Sequence, residues 1–188
     1  MATIGVLALQ GAFSKHGEMV ASIGHRVVYV RRPSELERID ALVIPGGEST
    51  VIRRQIAFIE MEQALEEFVE NKGVFGTCAG LILLAKKLRC KTFTPFGWMD
   101  IEVERNGYGR QLESFSAPVV REAKRGGCFE AMFIRAPRIR AVGEAVQVLA
   151  RLDDEPVLVR QGKLLAATFH PELSGCKKLY QSFIKEIL

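Results

Sequence analysis

Apolar residues follow two regimes along this chain. Up to about position 88, short unbroken apolar runs alternate with stretches whose apolar positions recur every three or four residues. The first kind suits strands buried on both faces, the second helices with one buried stripe. The spacing predicts strands at Thr3–Leu9, Arg26–Val30, Ala41–Ile44 and Gly73–Gly76. It predicts helices at Phe13–Ile23, from Ser49 onward, at Met61–Val69 and at Ala79–Leu88. Such alternation builds a parallel sheet with helices on both faces. Beyond Cys90 strands are expected with few helices between them: Met99–Arg105, Ser116–Val120, Met132–Ala136, Val146–Leu152, Pro156–Arg160 and Leu164–Phe169. Turn signals at Asp153-Asp154-Glu155 and Gln161-Gly162 separate neighbouring strands. Lys177–Leu188 reads as a closing amphipathic helix. The expected fold is α/β, a mainly parallel sheet with antiparallel strands added in the C-terminal half. No repeat, low-complexity stretch or linker interrupts it, so residues 1–188 are expected to form a single domain.

Composition narrows the class. The 188 residues are 48% hydrophobic and 26% charged, enough for a core without disulfides or metal. The net charge of +4 is spread over pairs such as Arg31-Arg32, Arg53-Arg54, Lys86-Lys87 and Lys177-Lys178. Scattered pairs read first as solvated surface and only second as a nucleic-acid face. The N-terminus runs directly into a strand, not into a signal peptide, and no apolar run approaches the ~18 residues of a membrane span. A cytoplasmic protein with no membrane or nucleic-acid partner is expected. Cys78, Cys90, Cys128 and Cys176 form no Cys-x-x-Cys pair, which argues against zinc or redox chemistry. No dinucleotide or P-loop glycine pattern occurs, and the reading calls for no cofactor and no metal.

Gly76-Thr77-Cys78-Ala79-Gly80 lies between a predicted strand and a predicted helix. A sharp strand-to-helix turn needs small residues two before and two after a nucleophile. The helix that follows would aim its first N–H groups at the sulfur, favouring the thiolate. A lone cysteine is more often a buried inert thiol; this five-residue frame reverses that expectation. Cys90, Cys128 and Cys176 have no such frame and are expected to be structural or surface residues.

A thiol that attacks an amide needs a proton carrier. The chain has three histidines, His16, His25 and His170. His170 falls just past a predicted strand, two positions before Glu172, and residues at i and i+2 of extended chain share a face. Glu172 can then orient the imidazole. Read alone, the pair is equally a strand-end histidine beside a surface glutamate. The Pro45-Gly46-Gly47-Glu48-Ser49-Thr50 run follows a strand. Read alone it is an ordinary turn with Ser49 or Thr50 capping a helix. Beside the elbow it is a backbone donor loop, with N–H groups near Gly47 and Ala79 available to an oxyanion.

Together these segments resemble the triad (class I) glutamine amidotransferases. Gly5 to Gly11, Pro45 to Thr50, Gly76 to Ala85, Val103-Glu104-Arg105-Asn106, Phe133 to Pro137 and Phe169 to Leu173 are similar, in order, to the glutaminase subunits of pyridoxal 5'-phosphate synthases. The resemblance implies a flavodoxin-like three-layer sandwich, with Cys78 as nucleophile, His170 as base and Glu172 as its orienting partner. It implies glutamine contacts from Gly47, Glu48, Ser49, Arg105, Ile134 and Arg135, and places Gln10 near the oxyanion hole on the side of the partner. It also implies that the substrate is L-glutamine and that the ammonia passes to a separate synthase subunit within a large hetero-oligomer. A glutaminase subunit for another synthase, such as that for imidazole glycerol phosphate, is the alternative.

Overall fold

The structure, a computed structural model, describes residues 1–90, 93–108, 114–122, 127–175 and 177–188, so Cys176 lies outside the described residues. The N-terminal elements are β1 (Thr3–Leu7), α1 (Phe13–Ser22), β2 (Arg26–Val30), β3 (Ala41–Ile44), α2 (Ser49–Phe58), α3 (Glu62–Asn71), β4 (Gly73–Thr77) and α4 (Ala79–Leu84). There follow β5 (Ala85–Leu88), β6 (Met99–Glu104), β7 (Ser114–Arg121), β8 (Cys128–Ile134), β9 (Arg138–Val142), β10 (Gln147–Leu152), β11 (Glu155–Gln161), β12 (Leu164–Ala167) and α5 (Lys177–Ile187). Short 3-10 helices span Pro33–Arg38 and Pro171–Leu173.

The main sheet runs β2-β1-β3-β4-β12-β11-β10-β7-β8. From β2 to β12 all neighbours are parallel, which is the flavodoxin strand order. From β12 to β8 all are antiparallel. The unbroken apolar runs of the parallel block reflect burial on both faces. Along β3, Ala41 and Val43 join the core under α1 and α5, with Val20, Tyr180 and Phe183; Leu42 and Ile44 join the core under α2, α3 and α4, with Ile52, Leu65 and Leu81. Among the described residues, no helix is long and apolar enough to cross a membrane.

Three expectations need correction. The helix at Ala79–Leu88 stops at Leu84, and Ala85–Leu88 is a strand on β6. The stretch has good helix formers, but Phe96 N–H takes the Leu83 carbonyl (2.9 Å) and Gly97 N–H takes that of Ala85 (3.1 Å). Those carbonyls are the ones a continuing helix would have used. The strand at Met99–Arg105 does not join the main sheet. It is the centre of a second sheet, β5-β6-β9, whose Met99, Ile101 and Ile139 pack into the core on the α2/α4 side. Its third strand, β9, lies in a stretch for which the sequence pattern predicts none. The strand expected at Met132–Ala136 starts earlier and ends at Ile134, because Arg135 turns the chain with φ +42°.

The antiparallel end of the main sheet curls back on itself. His170, just beyond β12, donates its N–H to Met132 O of β8 (2.8 Å), although β11, β10 and β7 separate those strands in the ladder. This return delivers Ile134 and Arg135 to the carboxyl end of the parallel strands, where sheets of this kind bind ligands.

Candidate active site

Cys78 occupies the N-cap of α4 with φ +48° and ψ −99°. That region is unfavourable for a residue with a side chain. It persists because both flanks are tied: Cys78 N–H donates to Ala167 O (2.8 Å), and Cys78 O accepts from Ile82 N–H (3.2 Å). So abrupt a reversal presses its neighbours together. A Cβ on Gly80 would lie 2.1 Å from the Ile44 carbonyl oxygen, and one on Gly76 2.7 Å from the Gly80 carbonyl carbon. Small residues on either side of the cysteine are therefore a steric requirement. Gly80→Ala is expected to cost about 2–3 kcal/mol, a fall of roughly 5–10 °C in Tm. Thermal denaturation checks it, and an unchanged Tm would mean that the turn can widen.

His170 sits beside this sulfur. Its Nδ1 lies 2.8 Å from Glu172 Oε1, and the ring also hydrogen-bonds Cys78, which leaves Nε2 as the atom facing the thiol. Burial alone would lower the His170 pKa; the hydrogen bonds and charges of Cys78 and Glu172 outweigh it and raise it to about 10. The ring is thus protonated at neutral pH. Burial likewise pushes the Glu172 carboxyl up, but His16, the hydrogen bond from His170 and the His170 charge hold it below its ordinary value. The anionic carboxylate is 5% exposed and reaches the pocket only through the imidazole.

The pocket measures about 290 Å³. Of the residues expected there, Gln10, Gly47, Glu48, Ser49, Cys78, Arg105, Ile134, Arg135 and His170 all line it. Ala79 stands behind them as the first residue of α4, where an N–H has no partner within the helix. Gly46 forms the floor: a Cβ there would come within 2.4 Å of His170 Cε1 and 3.3 Å of Cys78 Cβ. The turn after β3 is capped by neither Ser49 nor Thr50. The cap is Glu48, whose side chain accepts from Thr50 N–H (3.3 Å), while Ser49 Oγ is buried without a hydrogen-bond partner. Glu48 N–H donates to Gln10 Oε1 (2.7 Å), and Arg105 Nη2 meets Glu48 Oε1 (3.0 Å). The thiol lies 3.8 Å from Ile134 O. Cys90 and Cys128 are free and exposed, and the His25 ring, away from the pocket, accepts from Ala2 N–H (3.2 Å).

His16, Thr77 and Tyr180 converge on Glu172 behind Cys78 and His170, and of these four the sequence gives a candidate chemical role only to Glu172. His16 is fully buried; its Nε2 lies 3.1 Å from Thr77 Oγ1 and 3.2 Å from Glu172 Oε2, and its Nδ1 lies 2.7 Å from Tyr180 OH. The available signal was helical spacing, since His16 sits four residues before Val20 on the buried stripe of α1. As a whole, the arrangement can carry out acyl transfer: a thiol to attack a carbonyl, an imidazole to move a proton, backbone donors for an oxyanion, and paired charges for a polar substrate.

The sequence has extensive relatives. The model of the SNO glutamine amidotransferase family matches residues 6–188. A relative from Koribacter versatilis (strain Ellin345), named pyridoxal 5'-phosphate synthase subunit PdxT, is 49% identical over 185 residues, covering 98% of this chain and 95% of the relative. One of the same name from Thermotoga maritima is 44% identical and covers 98% of each. A crystal structure described as a glutamine amidotransferase superposes with a TM-score of 0.91 at 45% identity, covering 97% of both chains. A chain in the structure of PurLQS from Thermotoga maritima shares the fold, with a TM-score of 0.68 at 17% identity, covering 98% of this chain and 99% of that one.

Proposed function

The chain belongs to the SNO glutamine amidotransferase family, and from that premise we propose that it hydrolyses L-glutamine and delivers the ammonia to the synthase subunit of a pyridoxal 5'-phosphate synthase. The observation that carries the chemistry is the union of Cys78, His170 and the Gly46-Gly47 loop in one pocket, with Glu172 behind the imidazole. The Cys78 thiolate attacks the side-chain amide carbon of glutamine, forming a C–S bond. The oxyanion takes N–H groups at Gly47 and Ala79. His170 gives its proton to the amide nitrogen as the C–N bond breaks, and ammonia leaves. Water, deprotonated by His170, then attacks the thioester; the C–S bond breaks and glutamate departs.

Glutamine is recognised through its charged end. Arg105 and Arg135 suit the α-carboxylate and Glu48 the α-ammonium group, with Ser49 Oγ and the Ile134 carbonyl as further polar contacts. The Gln10 amide, bonded to Glu48 N–H and packed on Gly47, links the oxyanion loop to the exposed rim where a synthase would dock. Hydrolysis is therefore expected to be weak in the isolated protein and to rise when the hetero-oligomer forms. The test combines the purified protein with a pentose phosphate, a triose phosphate and the synthase, and follows glutamate release and pyridoxal phosphate absorbance. Glutamine-dependent pyridoxal phosphate is the expected result. Equal hydrolysis with and without synthase contradicts the gating. Glutamate without pyridoxal phosphate assigns the ammonia to another synthase.

A further inference from the structure

We propose that His16 is a positioning residue for the triad: from α1 it holds Glu172 in the orientation that meets His170, and Tyr180 of α5 and Thr77 of β4 hold His16 in turn. The proposal rests on the glutaminase reading above.

Glu172 has two carboxylate oxygens to satisfy in a buried site. His170 takes Oε1; among the described residues Oε2 is buried without a hydrogen bond, and His16 Nε2 stands against it at 3.2 Å as a close electrostatic contact, while the same nitrogen lies 3.1 Å from Thr77 Oγ1. An anionic carboxylate repels a ring lone pair, so Nε2 must carry the hydrogen. Nδ1 is then an acceptor, and the Tyr180 phenol, 2.7 Å away, donates to it. The assignment is self-consistent. Burial, and after it the Glu172 charge, push the Tyr180 phenol up, so it keeps its proton. Burial lowers the His16 pKa, against the pull of Glu172 and with the help of His170, which favours the neutral ring. It acts on Glu172 through this 3.2 Å contact, while His170 carries the positive charge on the pocket side.

This polar chain costs more to bury than an apolar contact would. The buried stripe of α1 could carry a leucine at this position, yet polar groups from α1, β4, α5 and the segment after β12 meet here with 0–5% exposure. None of His16, Thr77 and Tyr180 lines the pocket, so none touches glutamine. α1 also connects the site to its rim. It follows directly on Gln10-Gly11-Ala12, and Ala12 N–H donates to Gly46 O (3.0 Å). One helix thus seats both the oxyanion loop's neighbour and the residue that orients Glu172.

The titratable groups that face His16 are Glu172, His170 and Tyr180, and these decide the readout. In the complex with synthase, His16→Leu is expected to lower kcat for glutamine hydrolysis by about ten- to a hundredfold, the range seen when a partner that orients a reacting side chain is lost. KM should stay within about twofold, because the pocket wall is intact. His16→Gln keeps an N–H donor near the Nε2 position and should recover most of the loss. A loosened Glu172 also supports the protonated His170 less well, so the alkaline limb of the kcat profile should move to lower pH. A role in stability alone would lower Tm without moving that limb or separating kcat from KM. Wild-type kcat with an unmoved limb in folded His16→Leu overturns the proposal. If that variant does not fold, the same two readings on Tyr180→Phe, which loses one oxygen, decide the matter, with kcat expected to fall. Wild-type enzyme that hydrolyses no glutamine would instead remove the reading on which the proposal rests.

Discussion

Cys78→Ala is expected to abolish glutamine hydrolysis in the presence of the synthase, with kcat falling by at least about a thousandfold, the scale on which loss of a nucleophile operates in comparable triads. Cys90 and Cys128 cannot substitute, since both are exposed and stand on segments other than the elbow that holds Cys78. The oxyanion donors and the charged residues of the rim are untouched. Glutamine binding, measured by titration calorimetry, should therefore persist within a few-fold. The fold should persist too, because alanine keeps the Cβ and only the sulfur is lost. A folded Cys78→Ala protein that still releases glutamate would refute the nucleophile assignment.

Glu172→Gln is expected to lower kcat by about a hundred- to ten-thousandfold, since an isosteric amide in this place favours the wrong imidazole tautomer. Nδ1 of His170 faces Oε1 of Glu172 at 2.8 Å. A carboxamide that turns its NH2 toward this nitrogen makes Nδ1 an acceptor and puts the ring hydrogen on Nε2, where the neutral ring cannot accept a proton from thiol or water. The pH profile changes as well. In the wild type the ring, its pKa raised to about 10, keeps its proton across the neutral range. Without the carboxylate one of the two raising partners is gone, the protonated form is lost at lower pH, and the alkaline limb shifts in that direction. Steady-state rates from pH 6 to 10 on folded protein measure both effects; a wild-type profile would show that Glu172 does not orient the base.

Much of this site was legible because its parts are short. Gly76-Thr77-Cys78-Ala79-Gly80 states a strand-to-helix turn within five residues, and the close approach of Gly80 to Ile44 explains why those residues are small. His170 and Glu172 needed only an i, i+2 relation to share a face, although the chain there enters a 3-10 turn at Pro171 and does not continue as strand. Ser49 shows the opposite case. Its chemistry suits a helix cap equally well, and only the observed Glu48 cap leaves the hydroxyl for the pocket.

What the sequence determined by itself is whatever depends on local steric and periodic rules: the alternating strands and helices of the parallel block, the turn that presents Cys78, and the pairing of His170 with Glu172. What only the tertiary structure decided depends on groups distant along the chain. Ala85–Leu88 became a strand because Phe96 and Gly97 claimed the carbonyls of a helix that would otherwise have continued. Ile134 and Arg135 reached the cysteine because the antiparallel strands curl back to His170. His16 and Tyr180, 164 residues apart, acquired a meaning only when two helices on one face of the sheet brought them together behind Glu172. Which hydrogen-bond partner a group receives, and how far it is withdrawn from water, are properties of the packed chain, and periodicity carries no record of them.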